Sequence, residues 1–154
     1  MKKIIIIILL IIIIGCISGF FIKKIFFPND KQLIKKTINT VVKNLEEKNI
    51  PKFMKHFSLS YRDNYGNTYG TLNFAVKYVL SQVGSLSIKL SQMKIKIKNT
   101  PNGKRAIVKF VAYATGWSGG AEVAQEGGRF YLKLKKEYFK WKIYRFGGVK
   151  LNFQ

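Results

Sequence analysis

The chain has 154 residues, with 28 Lys and Arg against 7 Asp and Glu, a formal net charge of +21. Cys16 is its only cysteine and His56 its only histidine, so a disulfide framework and a cysteine-based metal site are excluded, and seven acids can hardly converge into a carboxylate one. Metal catalysis is set aside on that ground, and no cofactor is called for.

Met1-Lys2-Lys3 is followed by eleven consecutive Ile or Leu residues, Ile4 to Ile14, then by Gly15-Cys16-Ile17-Ser18-Gly19-Phe20-Phe21-Ile22 and Lys23-Lys24. A charged start and an apolar run of this length open a secretory signal. The nineteen uncharged residues from Ile4 to Ile22 are about enough to cross a hydrocarbon core of roughly 30 Å. Residues 1–24 are therefore expected to be a membrane anchor or signal segment. Ile13-Ile14-Gly15-Cys16 resembles a bacterial lipobox, which makes Cys16 a candidate for lipidation. The apolar run beyond it suits an uncleaved helix equally, and both readings stay open. A short N-terminal tail with Lys2 and Lys3 favours an inside N-terminus, which sends the domain to the extracytoplasmic side of a bacterial cytoplasmic membrane.

Residues 25–30 read as a linker, with Pro28 ending any helix that leaves the membrane and Asn29 or Asp30 placed to cap a new one. One domain, 31–154, follows. Leu33, Ile34, Ile38, Val41, Val42 and Leu45 recur at spacings of three and four, which predicts an amphipathic helix over 31–48 ended by Asn49. Pro51 suits the first turn of a short helix with Phe53, Met54 and Phe57 inward, and His56 reads as a surface or capping residue. Gly66 and Gly70 with Asp63, Asn64 and Asn67 make 58–70 rich in turns. A second long helix, capped by Thr71 and ended by Gly84, gathers Leu72, Ala75, Val76, Val79, Leu80 and Val83 on one face.

After Gly84 the period falls to two. Ile88 and Leu90 alternate with Ser87 and Lys89, and Met93, Ile95 and Ile97 alternate with Lys94, Lys96 and Lys98. The one-residue slip between these sets predicts a β-bulge at Ser91-Gln92. Pro101-Asn102-Gly103 is a hairpin signal, and the returning strand, 105–115, has Ala106, Val108, Phe110, Ala112 and Ala114 in one parity. Residues 116–128 hold five Gly in thirteen, show no periodicity, and read as a flexible hairpin loop rather than a phosphate-binding one. Strand patterns resume at Phe130, Leu132 and Leu134, turn at Glu137-Tyr138, and continue through Phe139, Trp141 and Ile143. Helices followed by long antiparallel strands make an α+β arrangement.

This order resembles the nuclear transport factor 2-like superfamily, which includes ketosteroid-isomerase-like and polyketide-cyclase-like enzymes. The resemblance is carried by 57–66 (Phe-Ser-Leu-Ser-Tyr-Arg-Asp-Asn-Tyr-Gly) and 139–143 (Phe-Lys-Trp-Lys-Ile), and it covers residues 31–146. It implies a cone-shaped, cystatin-like α+β fold, helices packed on a bent antiparallel sheet, in an uncharacterised membrane-anchored bacterial branch. Enzymes of the superfamily need a carboxylate deep in the cone. Asp63, with Tyr61, Tyr65 and Tyr113 as companions, is the only candidate here, and capping its own turn is the simpler role for it.

The leading expectation is thus a non-catalytic, membrane-anchored binding domain; an isomerase- or cyclase-like enzyme using Asp63 is the alternative. Lys94, Lys96, Lys98, Lys133, Lys135, Lys140 and Lys142 share the parity opposite the apolar one, a basic sheet face suited to anionic lipid or an envelope polymer. Against selection stands composition: only Arg62, Arg105, Arg129 and Arg145 are Arg, and Lys travels with abundant Ile and Asn. A protein partner or a homodimer fits such a domain too, whereas nucleic acid is rarely presented outside the cytoplasm.

Overall fold

The computed structural model describes residues 29–151. The expected anchor, the lipidation candidate Cys16 and the linker up to Pro28 lie outside the described residues. Among those described, no helix is long and apolar enough to cross a membrane. Helix α1 spans Asp30–Glu46, α2 Ile50–Met54 and α3 Tyr69–Ser81; strands β1 (Ser85–Thr100), β2 (Gly103–Ser118), β3 (Ala121–Glu137) and β4 (Lys140–Leu151) follow. The strands form one antiparallel sheet in the order β1-β2-β3-β4, with the helices on one face, as expected.

Local chemistry fixes the helix ends. Asn29 Oδ1 accepts from the Gln32 N–H at 2.9 Å while Gln32 Oε1 accepts from the Asn29 N–H at 3.2 Å, a reciprocal cap of the orphan donors. The stripe of α1 buries Ile34, Ile38 and Val41. Asn49 acts differently from expectation: Lys48, at φ 54°, turns the chain, and the Asn49 side chain accepts from the Lys52 N–H at 3.1 Å, capping α2. Thr68 rather than Thr71 caps α3, and Thr71 supplies the return bond, its hydroxyl accepting from the Thr68 N–H at 2.7 Å. That helix ends at Ser81 with Gln82 as its cap, so Gly84 is not its terminator; the Gly84 N–H donates to the Trp117 carbonyl at 2.6 Å. Val79 falls off the inward stripe and is exposed.

The sheet shows where periodicity reads well and where it fails. The bulge lies where the slip placed it, between Ser91 and Lys94, with Gln92 at φ 51°. The expected loop over 116–128 is instead two strands joined at Gly119-Gly120, whose φ values of 59° and 83° suit a tight turn. Gly116 and Gly128 sit inside those strands for lack of room. A Cβ on Gly116 would stand 2.6 Å from the Val83 side chain, and one on Gly128 would stand 2.7 Å from the Val149 carbonyl oxygen. Phe139 is likewise in the β3–β4 turn, exposed, while Trp141 two residues on is buried.

Beyond β4 the chain from His56 to Asn64 runs along the sheet edge. The Ser58, Arg62 and Asn64 N–H groups donate to the carbonyls of Ile143, Tyr144 and Phe146, and Ile143 N–H donates to His56 O. This satisfies an edge that would otherwise invite pairing with another chain.

Candidate functional site

Where the helices meet the sheet they leave a cavity of about 310 Å³. Its wall comes from Ile38, Val41 and Leu45 on α1, Leu72 and Val76 on α3, and the inward parity of the strands, including Leu90, Phe110, Ala112, Ala114, Phe130 and Phe146. Two alanines in succession on β2 open the space, because larger side chains there would close it. Of all the lining residues only Tyr61 carries a polar side-chain group, and its hydroxyl donates to Asp63 Oδ2 at 3.2 Å. The α3 wall is the looser one: Leu80 alone is buried on it, while Leu72, Ala75 and Val76 are half-buried.

Asp63 is occupied and does not line the cavity. Its Oδ1 accepts from the Tyr65 N–H at 2.9 Å and the Asn67 N–H at 2.7 Å, and its Oδ2 accepts from Asn67 Nδ2 at 2.8 Å besides Tyr61. These bonds fasten the 63–67 turn. Burial first, then the charge and hydrogen bond of Asp63, push the Tyr61 hydroxyl far above its ordinary range, so it stays a donor. Tyr65 is exposed and donates to Gly148 O at 3.2 Å. Tyr113 stands on the outward parity of β2, opposite Lys89 and Gly127, on the far side of the sheet from the cavity. Tyr61 and Asp63 are therefore brought together, Tyr65 lies beside them, and Tyr113 does not join them. Among the described residues no three His, Cys, Asp or Glu side chains are grouped to hold a metal ion.

The seven lysines divide in two. Lys94, Lys96, Lys98 and Lys133 line one hollow of about 610 Å³ on the outer sheet face with Arg105 and Lys109. Cross-strand register sets Lys94 against Lys109 and Lys98 against Arg105, like charges side by side, which costs stability. Aromatic rings relieve part of it: Arg105 lies 5.8 Å from the centre of the Tyr144 ring and Lys133 lies 5.9 Å from that of Tyr131. Lys135, Lys140 and Lys142 lie outside this hollow, at the β3–β4 turn. Lys135 pairs with Glu137 at 2.9 Å and donates to Ser60 Oγ at 2.9 Å, and Lys142 donates to the Lys55 carbonyl. Sequence parity finds the shared face but not this division.

Lys142 also faces His56. Burial, then the Lys142 charge, hold the imidazole below its ordinary pKa of 6.5, so the fold favours the neutral ring. The stability tied to that ring is present above about pH 6.5 and is lost as the pH falls through the depressed folded value. Glu137 is held below its ordinary 4.5, where hydrogen bonds from Lys135 and Ser58 together with the Lys135 and Lys142 charges outweigh the opposing effect of burial; its contribution disappears only in stronger acid. Urea midpoints should therefore fall between pH 7 and pH 5 in the wild type and fall less in His56→Gln. Equal slopes for the two would contradict this assignment.

No family model and no curated protein matches the chain. Solved structures do. A protein of unknown function with a cystatin-like fold from Nostoc punctiforme superposes with a TM-score of 0.63 at 12% identity, over 79% of this chain and 90% of that one. A nuclear transport factor 2-like protein from Novosphingobium aromaticivorans gives 0.65 at 9%, over 80% and 82%. The fold is cystatin-like, of the nuclear transport factor 2 type. Bd1075 of Bdellovibrio bacteriovorus gives 0.66 at 16%, over 80% of this chain, which spans 41% of that protein's length. Identities so low establish the cystatin-like fold and no activity.

Proposed function

We propose that the chain is a membrane-anchored domain, held on the extracytoplasmic side of a bacterial cytoplasmic membrane, that binds a small apolar ligand and does not transform it. The observation that carries this reading is the cavity of about 310 Å³ with an almost wholly apolar wall. That volume is at the lower end of small-molecule sites, roughly 300–1,000 Å³. The apolar wall that this half-open cavity leaves in contact with water is unfavourable by about 25 cal/mol per Å² of apolar area. A ligand that filled it would recover much of that. Asp63, the base that the enzyme alternative would use, spends both oxygens on its own turn and on Tyr61 and does not line the cavity. The basic outer face supports a second contact, with anionic head groups.

The full chain should fractionate with membranes, and the chain lacking residues 1–24 should be soluble and folded, since among the described residues the buried core begins at Ile34. That domain should take up the neutral fluorophore N-phenyl-1-naphthylamine saturably and one-to-one. Uptake that never saturates would count against the cavity; a full chain found in the soluble fraction would count against the anchor.

A further inference from the structure

Tyr138, Phe139 and Leu59 are the most exposed large apolar side chains of the described residues, at 96%, 89% and 83%. They belong to two neighbouring turns. Ser58 Oγ donates to Glu137 Oε1 at 2.8 Å, and Lys135 Nζ donates to Ser60 Oγ at 2.9 Å, so the turn that carries Leu59 is clamped beside the β3–β4 turn that carries the two aromatics. Burial does not explain the three side chains, and neither does turn chemistry. Tyr138 and Phe139 have φ values of 44° and 67°, a region that Gly or Asn adopts at far less cost. The turn presents both rings to solvent.

Around them the charge is predominantly positive. Lys55 and Lys140 are exposed, and Lys135, Lys136 and Lys142 are half-buried. The only acid in the turn, Glu137, is already paired with Lys135. Exposed aromatic rings rimmed by long cationic side chains match the boundary between head groups and acyl chains: the rings enter the interface and the lysines reach the phosphates. Only five residues separate Lys24 from Asp30, a reach of at most about 20 Å, so an anchored domain would meet the surface at high effective concentration.

We infer that the Tyr138-Phe139 turn and Leu59 form a second, reversible membrane contact that inserts into the interface of an anionic bilayer. It rests on the anchor proposed above. The test uses the full chain with vesicles of brominated phosphatidylcholine, with or without phosphatidylglycerol. The added emission of Phe139→Trp over wild type should be more than halved when phosphatidylglycerol is present. Val123→Trp, at the other end of β3, should be quenched far less, and Lys136→Gln with Lys140→Gln should restore the Phe139→Trp emission. Quenching no greater than that of Val123→Trp, or as strong without phosphatidylglycerol, overturns the inference while the chain still floats with the vesicles. A chain that floats with neither vesicle overturns the anchor and this contact with it.

Discussion

Trp141→Ala is expected to destabilise the domain by about 3–5 kcal/mol, the range for deleting a large buried aromatic. The indole is 3% exposed and stands two residues from Ile143, which is fully buried and lies opposite Leu134. The loss combines apolar burial with a void that neighbours in strands cannot close by shifting. Phe139→Ala makes the contrast. It removes an aromatic two positions away that is exposed, so in water its effect should stay within about 0.5 kcal/mol, as for surface changes generally. Urea unfolding of the domain without residues 1–24 separates the two. A loss under about 1 kcal/mol for Trp141→Ala would mean that the inner face of β4 is not the core.

Ala112→Phe should abolish ligand uptake without unfolding the protein. Ala112 lies opposite Leu90 on one side and Gly128 on the other, and it lines the cavity. A phenyl group there would project into empty space rather than into packed atoms, so the usual penalty of about 1–3 kcal/mol for overpacking should be small or reversed. Affinity for the neutral fluorophore should fall at least tenfold, with the melting temperature unchanged or raised. Unchanged affinity would place the ligand elsewhere, and a collapse in melting temperature would mean that the space was already filled.

The inner and outer parities of β1 and β2 were legible because Lys alternates there with Ile and Val, and a one-residue slip in that alternation was enough to place the bulge at Gln92. Over 116–128 the same logic failed. Glycines carry no side-chain parity, and their reason for being there, the nearness of Val83 and of the Val149 carbonyl, is a tertiary one. Phe139 misled for the opposite reason: it continues the apolar parity of Trp141 and Ile143 but sits in a turn at positive φ. The cavity is defined by missing atoms. The only signal available was the succession of Ala112 and Ala114 after Val108 and Phe110 on the inward parity of β2. Asp63 was legible as a turn cap, and its hydrogen bonds bear that reading out.

The most direct measurement of the cavity claim is the methyl spectrum of the domain without residues 1–24 as the neutral fluorophore is added. Methyl signals of Leu72, Val76, Leu90 and Ala112, on the wall, should shift together and saturate at one equivalent, while those of Ile107 and Val123, exposed on the sheet, stay in place. Shifts confined to the exposed methyls, or none on the wall, would contradict a ligand-binding cone.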